Sequence, residues 1–162
     1  MTLTAHAGAI SIQTDDPRAP GSTRLLEAHL AHSWDETPET SNHTFDAEAL
    51  AAADVTFWTA RDGNEVVGCG ALKRLDAESA ELKSMHTAEA HRGRGVARLV
   101  MEHALDHARA QGFCRILLET GTMAGYAAAR ALYLGRGFTE CGPFGDYSLD
   151  PNSVFMCLEL DR

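Results

Sequence analysis

Long apolar runs, closely spaced cysteines and an excess of positive charge are all missing from this sequence of 162 residues. No stretch has the length of a membrane-spanning helix, and no basic, apolar leader is evident, so we expect neither a membrane partner nor a secretory signal. The four cysteines are scattered without a C-x-x-C spacing, which disfavours disulfides and a zinc site. A net charge of −9 disfavours nucleic acid as a partner. These absences favour a cytoplasmic protein with reduced cysteines.

The hydrophobic pattern predicts a single domain, residues 1–162, of the α/β (or α+β) class. Hydrophobic residues form 44% of the chain, enough for a sizeable core. Periodicity predicts the order β-α-α-β-β-β-α-β-α-β-β around a mixed sheet. Asp62-Gly63-Asn64 predicts a hairpin between two β-rich runs. Ser22 or Thr23 is the expected cap of the first helix, and Asp46 that of the second.

Three later segments carry more specific expectations. In "AELKSMHTA", regular alternation places Leu82, Ser84 and His86 on one face and Lys83, Met85 and Thr87 on the other. The run "FCRILLETG" predicts a strand buried on both faces. The helix in "AGYAAARALYLGRGF" is expected to end at Gly135 and Gly137.

The stretch "HRGRGVARLV" places glycines and arginines at the start of an amphipathic helix. Glycine weakens a helix, and cations oppose the positive end of its dipole. Glycines, however, let the backbone approach a ligand, and the first helical amides have no acceptor within the helix. The pattern indicates either a phosphate-binding turn or a glycine turn before a solvated basic face.

Two motifs resemble those of the GNAT N-acetyltransferases. "RGRGVA" resembles the acetyl-CoA signature [QR]-x-x-G-x-[GA], and "ARALYLGRGF" resembles A-x-x-L-Y-x-x-x-G-F. The blocks "TFW", "GCGALK", "ELKSM", "LETG" and "FGDY" resemble a small bacterial group, some of whose members are labelled indole-acetic acid acetyltransferases. The resemblance implies the GNAT fold, a mixed, mostly antiparallel sheet flanked by about four helices.

The resemblance also implies that acetyl-CoA binds as co-substrate. Backbone amides of the turn would hold its pyrophosphate, and the following strand residues would pair with its pantetheine arm, with an N–H near Met85 polarising the thioester carbonyl. Tyr126 occupies the position, three residues before Ala129, where many relatives have asparagine. The residues implied are Met85, His86, Thr87, Arg92, Gly93, Arg94, Gly95, Val96, Ala97, Tyr126 and Ala129.

Acetyl transfer to an amine needs a base for the amine and a proton for the leaving thiolate. Tyr133 matches the family tyrosine beside the CoA sulfur and is the expected acid. Glu81, eleven residues before Arg92, matches the base of the histone-acetylating branch. Glu119 is its rival, because "LLETG" places it near the point where two strands separate. A solvated glutamate is the alternative interpretation of Glu81.

The remaining polar residues suggest an acceptor site and no metal. The long loop before the last strand offers Phe144, Asp146 and Tyr147, and His43 could line the same pocket. His103 and His107 have a metal-compatible spacing, but no third ligand is evident and a solvated surface is favoured. For Phe144, Asp146 and Tyr147, a packed hairpin loop is the alternative.

These patterns predict an enzyme that transfers acetyl from acetyl-CoA to an amine of a small molecule or peptide by direct attack in a ternary complex. No cysteine is placed convincingly beside a base, which disfavours an acetyl-enzyme. A non-catalytic acyl-CoA sensor and a nucleotide- or nucleic-acid-binding module are the alternatives. The acceptor stays open, and a homodimer is possible.

Overall fold

Strands and helices follow the predicted order in the residues that the computed structural model describes, 9–36 and 47–161. The strands are β1 (Ile10–Thr14), β2 (Val55–Asp62), β3 (Glu65–Arg74), β4 (Ser79–Thr87), β5 (Arg115–Gly121), β6 (Thr139–Cys141) and β7 (Ser153–Glu159). The α-helices are α1 (Pro20–Glu36), α2 (Ala47–Leu50), α3 (Val96–Ala110) and α4 (Ala127–Arg136). Short 3-10 turns, Glu89–His91 and Ala124–Tyr126, precede α3 and α4.

The sheet is mixed and mostly antiparallel, with the strand order β1-β2-β3-β4-β5-β7-β6. The one parallel pair among the described strands is β4 with β5, and its pairing runs only from Ser79–Arg115 to Glu81–Leu117. Beyond that point the two strands separate while β5 continues to pair with β7 as far as Gly121. A cleft therefore opens in the middle of the sheet.

Helix α3 covers one face of the sheet. Its buried residues recur with helical spacing: Val96, Val100, Met101, Ala104, Leu105 and Ala108. Gly68 and Gly70 on β3 permit this close packing, because a Cβ on either would lie 2.6 Å from a methyl group of Val96 or Val100. Helix α4 joins the same side, where Tyr133 and Phe138 pack into the core with Met101.

Helix α1 covers the opposite face. Leu25 and Leu26 pack there against Leu50 of α2 and Phe57 of β2. The predicted cap at Ser22 or Thr23 is wrong, because the helix begins at Pro20, whose fixed φ suits a first helical position. Ser22 is instead fully buried within the first turns. Asp46, the predicted cap of α2, lies outside the described residues.

A β-bulge interrupts β4 and overturns the predicted alternation. The pairing with β3 shifts between Cys69 and Ala71, and Ser84 has a φ of +55°, the only positive value among the described residues other than glycine. The extra residue places Met85 on the α3 side, together with Leu82. His86 consequently faces α1 rather than sharing a face with Leu82.

Two further expectations have mixed outcomes. Strand β5 is fully buried on one face only, since Leu117 and Glu119 are partly accessible, so the prediction of burial on both faces is wrong. Helix α4 ends at Gly137, with a φ of +112°, as predicted, whereas Gly135 lies inside the helix. Among the described residues, no helix combines the length and apolarity that crossing a membrane requires.

Candidate active site

A cavity of about 480 Å³ lies where β4 leaves β5. Four parts of the chain form its walls: α1, the end of β4, the turn that opens α3, and the start of α4. Ten of the eleven predicted cofactor residues line it: Met85, His86, Thr87, Arg92, Gly93, Gly95, Val96, Ala97, Tyr126 and Ala129. The eleventh, Arg94, is exposed and is not part of the wall.

The glycine turn gives the cavity an open helix N-terminus. Gly93 and Gly95 have φ values of +79° and +82°, which favour glycine, and a Cβ on either would meet nothing within 4 Å. Gly95 caps α3 without a side-chain hydrogen bond, and the first turn has no acidic residue. Arg92 Nε donates to the Thr87 carbonyl at 3.2 Å, which fixes the guanidinium at the cavity wall. The helix amides and dipole suit an anion here.

Tyr133 lines the cavity although it is only 6% exposed. Its ring packs edge-on against Phe138, with centroids 5.7 Å apart, and this fixes its direction. Burial raises the pKa of the phenol well above its usual range. The hydroxyl therefore keeps its proton near neutral pH.

Tyr126 is fixed on the wall by its neighbours. Its ring packs directly on Gly121, where a Cβ would overlap it, and its edge meets His32 at 5.5 Å between centroids. Arg130 Nη1 donates to the carbonyls of Gly121 and Met123, at 2.7 and 2.9 Å, and so holds the segment before α4.

Two histidines of α1 are among the wall residues that were not predicted as site residues; the others are His91, Arg98, Gly125, Ala128 and Leu132. His29 Nδ1 lies 3.1 Å from His86 Nδ1, and His32 lies 6.5 Å from His86 between ring centroids. Burial, followed by nearby histidines, lowers the pKa of His29 to about 4 and that of His86 to about 3. The three-residue spacing of His29 and His32 indicates a shared helix face, but no sequence signal shows what that face meets.

The predicted base Glu81 belongs to a buried cluster outside the cavity wall. Its Oε2 accepts hydrogen bonds from Lys83 Nζ at 2.9 Å and from the Tyr147 hydroxyl at 2.7 Å. Lys83 Nζ also donates to that hydroxyl at 3.0 Å. Burial and Glu81 raise the pKa of Tyr147 above its usual range. The cluster joins the β6–β7 loop to the middle of the sheet.

The other predicted residues are distributed around this cluster. Glu119 pairs with Phe155 in the sheet and is near enough to raise the pKa of Tyr147 further. Phe144 and Tyr147 pack on Phe155, with ring centroids 5.9 and 5.5 Å away, and support the packed-loop interpretation.

Other predicted acceptor and metal residues lie apart. Asp146 is exposed, and His43 lies outside the described residues. His103 and His107 pack edge-on against Trp58. Across the described part of the chain, no group of three or more histidines, cysteines or acids is arranged to hold a metal.

Comparison with known proteins decides the family. Residues 23–138 match the model of the Acetyltransferase (GNAT) family. The chain belongs to this family. Its GNAT relatives include the uncharacterized N-acetyltransferase YsnE of Bacillus subtilis, 43% identical over 92% of this chain and 99% of that protein. The IAA acetyltransferase of Azospirillum brasilense is 39% identical over 91% of this chain and 95% of its own length.

A solved structure confirms the expected GNAT fold. A GNAT family acetyltransferase from Elizabethkingia anophelis, solved with acetyl-CoA bound, superposes with a TM-score of 0.68 at 18% identity, over 93% of this chain and 98% of that one. The fold and family predictions are confirmed, and the chain is an acetyl-CoA-dependent N-acetyltransferase.

Proposed function

We propose that this GNAT enzyme transfers acetyl directly from acetyl-CoA to an amine of a small molecule or peptide held beside it. The observation that carries the proposal is the single cavity that joins the glycine turn to Tyr133 and the bulged β4. Its described lining contains no cysteine. Cys69, on neighbouring β3, is fully buried, and burial raises its pKa to about 12, so it is unsuited to attack a thioester. Direct transfer therefore fits better than an acetyl-enzyme.

The glycine turn fits the phosphates of acetyl-CoA. Positive φ values and free space at Gly93 and Gly95 leave the helix amides open to an anion, and Arg92 and Arg98 border the same space. The separated part of β4, including Met85 and Thr87, would pair with the pantetheine arm, and a backbone N–H near Met85 would bind the thioester oxygen. Acetyl-CoA supplies the electrophilic carbonyl and the thiolate leaving group.

Tyr133 is the proposed acid. Its phenol is protonated near neutral pH and lies on the wall that α4 contributes. A proton donated to the departing sulfur makes it a better leaving group, since a free thiolate is basic, with a pKa of roughly 8.5 by analogy with cysteine. Tyr126 and Ala129, earlier on the same segment, would contact the cofactor beside it.

Glu81 and Glu119 remain candidate bases by prediction only. Neither is among the cavity-lining residues, so either would act on the amine through water. Protonation of Glu81 would remove the charge that faces the buried Lys83 ammonium at 2.9 Å. This cost weighs against Glu81, although the sequence favours it.

The acceptor site is proposed on the face of α1 and the β6–β7 loop. Phe144 and Tyr147 would bound it, with Asp146 and His43 as further candidates from the sequence. The name of the Azospirillum relative adds indole compounds to the amines worth testing. The free cysteines support a reducing, cytoplasmic location, and light scattering in solution tests for a homodimer.

An amine panel tests the proposal. Amino acids, polyamines, aminoglycosides, peptides and indole amines are each incubated with acetyl-CoA, and released thiol and acetylated product are measured. We expect one class to raise thiol release well above hydrolysis, and Tyr133→Phe to suppress that increase. Thiol release that no amine raises would contradict the proposal.

A further inference from the structure

The His29–His86 pair is unused by the mechanism so far, although it forms part of the cavity wall. The two Nδ1 atoms are 3.1 Å apart, so one ring must donate a hydrogen that the other accepts. The bulge at Ser84 creates this contact by turning His86 toward α1. A regular strand would place His86 on the other face, away from His29.

His86 also borders a second space. A neighbouring cavity of about 950 Å³ between α1 and the β2–β3 turn is lined by His86, His32 and Arg92, but not by His29. His29 lines only the first of these two cavities, the one that contains Tyr133. His86, His32 and Arg92 line both cavities, so the two spaces meet at His86. The His29–His86 contact therefore leads from the cavity that contains Tyr133 to a second space large enough for water.

We propose that His29 and His86 form a relay that carries the acceptor's proton out of the active site. This proposal rests on the proposed acetyl transfer. In the resting pair, His29 has its hydrogen on Nδ1 and donates it to His86 Nδ1, while His86 has its own hydrogen on Nε2. His29 Nε2 then presents a free lone pair.

The step is balanced in atoms and charge. As the amine nitrogen bonds to the acetyl carbon and the C–S bond breaks, the nitrogen loses a proton to His29 Nε2. The His29 Nδ1 hydrogen moves to His86 Nδ1, and the His86 Nε2 hydrogen passes to water in the second cavity. Both rings end neutral with their tautomers exchanged. After the products leave, water protonates His86 Nε2, the His86 Nδ1 hydrogen returns to His29 Nδ1, and His29 Nε2 releases its hydrogen to water, which restores the resting pair. Tyr133 protonates the sulfur and recovers its proton from solvent.

The groups around the pair disfavour the imidazolium form of either ring, so a proton that reaches one ring is transferred onward. His32 on α1 and Arg92 after β4 are the titratable and charged neighbours that disfavour a cation at His86, and His32 does the same at His29. Both rings are consequently neutral near pH 7, so a lone pair is available. The nitrogen bonded to the acetyl carbon is also a far stronger acid than a free alkylammonium, which eases its transfer.

Single and double variants test the relay once an amine is identified. We expect His29→Gln and His86→Gln each to lower kcat by about 10²–10³-fold with little change in KM, the range of general base catalysis. The double variant should lose no more than either single one, because the two act as one unit. His103→Gln, at an exposed histidine of α3 that lines neither cavity, is the matched control and should keep full activity. Imidazole should restore part of the turnover of His86→Ala.

A kcat loss below tenfold, a change confined to KM, or additive losses in the double variant would overturn the relay. A readout independent of turnover is ¹H–¹⁵N NMR of the histidine tautomers in the full chain. The proposal requires the Nδ1–H form of His29 and the Nε2–H form of His86, and any other pair contradicts it. If no amine is acetylated, the proposed function fails, while the NMR result still decides whether the pair shares a hydrogen.

Discussion

Tyr133 shows how core packing fixes a side chain that we propose as the proton donor. The ring is held by Phe138 inside the core, yet it also forms part of the cavity wall. Desolvation makes the phenolate unfavourable, so the hydroxyl stays protonated across the working pH range. A residue that packing fixes in this way needs no hydrogen-bond network to orient it.

Tyr133→Phe keeps the ring and its packing and removes only the proton donor. We expect kcat to fall by about 10²–10⁴-fold while acetyl-CoA affinity, measured by calorimetry, is nearly unchanged. The matched control is Phe138→Tyr at the other ring of the pair. Full turnover in Tyr133→Phe would leave Tyr133 as a core residue only.

For Glu81, by contrast, burial in an ion pair favours a role in stability over a role as base. The side chains of Glu81 and Lys83 are each 5% exposed, so their ion pair offsets part of the hydration that both lose. Glu81→Gln should lower the free energy of unfolding by about 3 kcal/mol, measured by urea denaturation. Adding Lys83→Met should recover most of that loss.

The pH dependence of turnover separates this account from the sequence prediction. If Glu81 is the base, the defect of Glu81→Gln is largest at low pH and shrinks as the free amine becomes abundant. If the histidines carry the proton, Glu81→Gln leaves the shape of the pH–rate profile unchanged. Glu119→Gln serves as the comparison, and a pH-dependent defect there would point to Glu119 instead.

At the scale of elements, the start of α3 is the part on which the proposed binding of acetyl-CoA depends most. Gly95→Asp and Gly95→Asn have nearly equal size and share the cost of a positive φ, which both tolerate better than other residues. Only the aspartate places a negative charge where the phosphates would bind. We expect calorimetry to show far weaker acetyl-CoA binding for Asp than for Asn, with stability similar or higher for Asp because of the helix dipole. Equal affinities would remove the turn from the binding site.

The regular elements could be predicted from the sequence, and the interruptions could not. Periodicity predicted every strand and helix of the described chain in order, and Gly63 and Gly137 marked a turn and a helix end correctly. The bulge at Ser84 was missed, because an alternating pattern assumes a strand with no extra residue. Serine also gives no sign of a positive φ.

The candidate site was likewise predicted only in part from the sequence. The glycine turn was found because glycine has a local physical reason to be there. The His29–His86 contact was missed because it depends on how α1 packs against β4, and no local pattern encodes that packing. The Glu81–Lys83–Tyr147 cluster was predicted only in part. Glu81 and Tyr147 were both named as site residues, but their contact was not predicted because it spans 66 positions of sequence.

For the molecule as a whole, the buried histidines predict a loss of stability in mild acid. The pKa values of His29 and His86, about 4 and 3, lie below the ordinary 6.5, so the unfolded chain binds protons that the native chain does not. The two histidines therefore contribute their full share to the free energy of unfolding above about pH 6.5. That contribution falls as pH drops toward 4, by up to about 1.4 kcal/mol per pH unit for each ring.

Urea denaturation at several pH values from neutral to mildly acidic measures this slope. The double variant His29→Gln with His86→Gln should flatten it. Asp15 and Asp76 do not interfere, because their pKa values are lowered and their contribution is lost only at more acidic pH. An unchanged slope in the double variant would mean that other groups cause the acid sensitivity.

The central claim, direct transfer between two bound substrates, is tested most directly by initial rates of thiol release with acetyl-CoA and the best amine varied together. Direct transfer predicts intersecting double-reciprocal lines and no thiol released in a burst before amine is added. Parallel lines, or a burst of thiol with acetyl-CoA alone, would indicate an acetyl-enzyme and would contradict it.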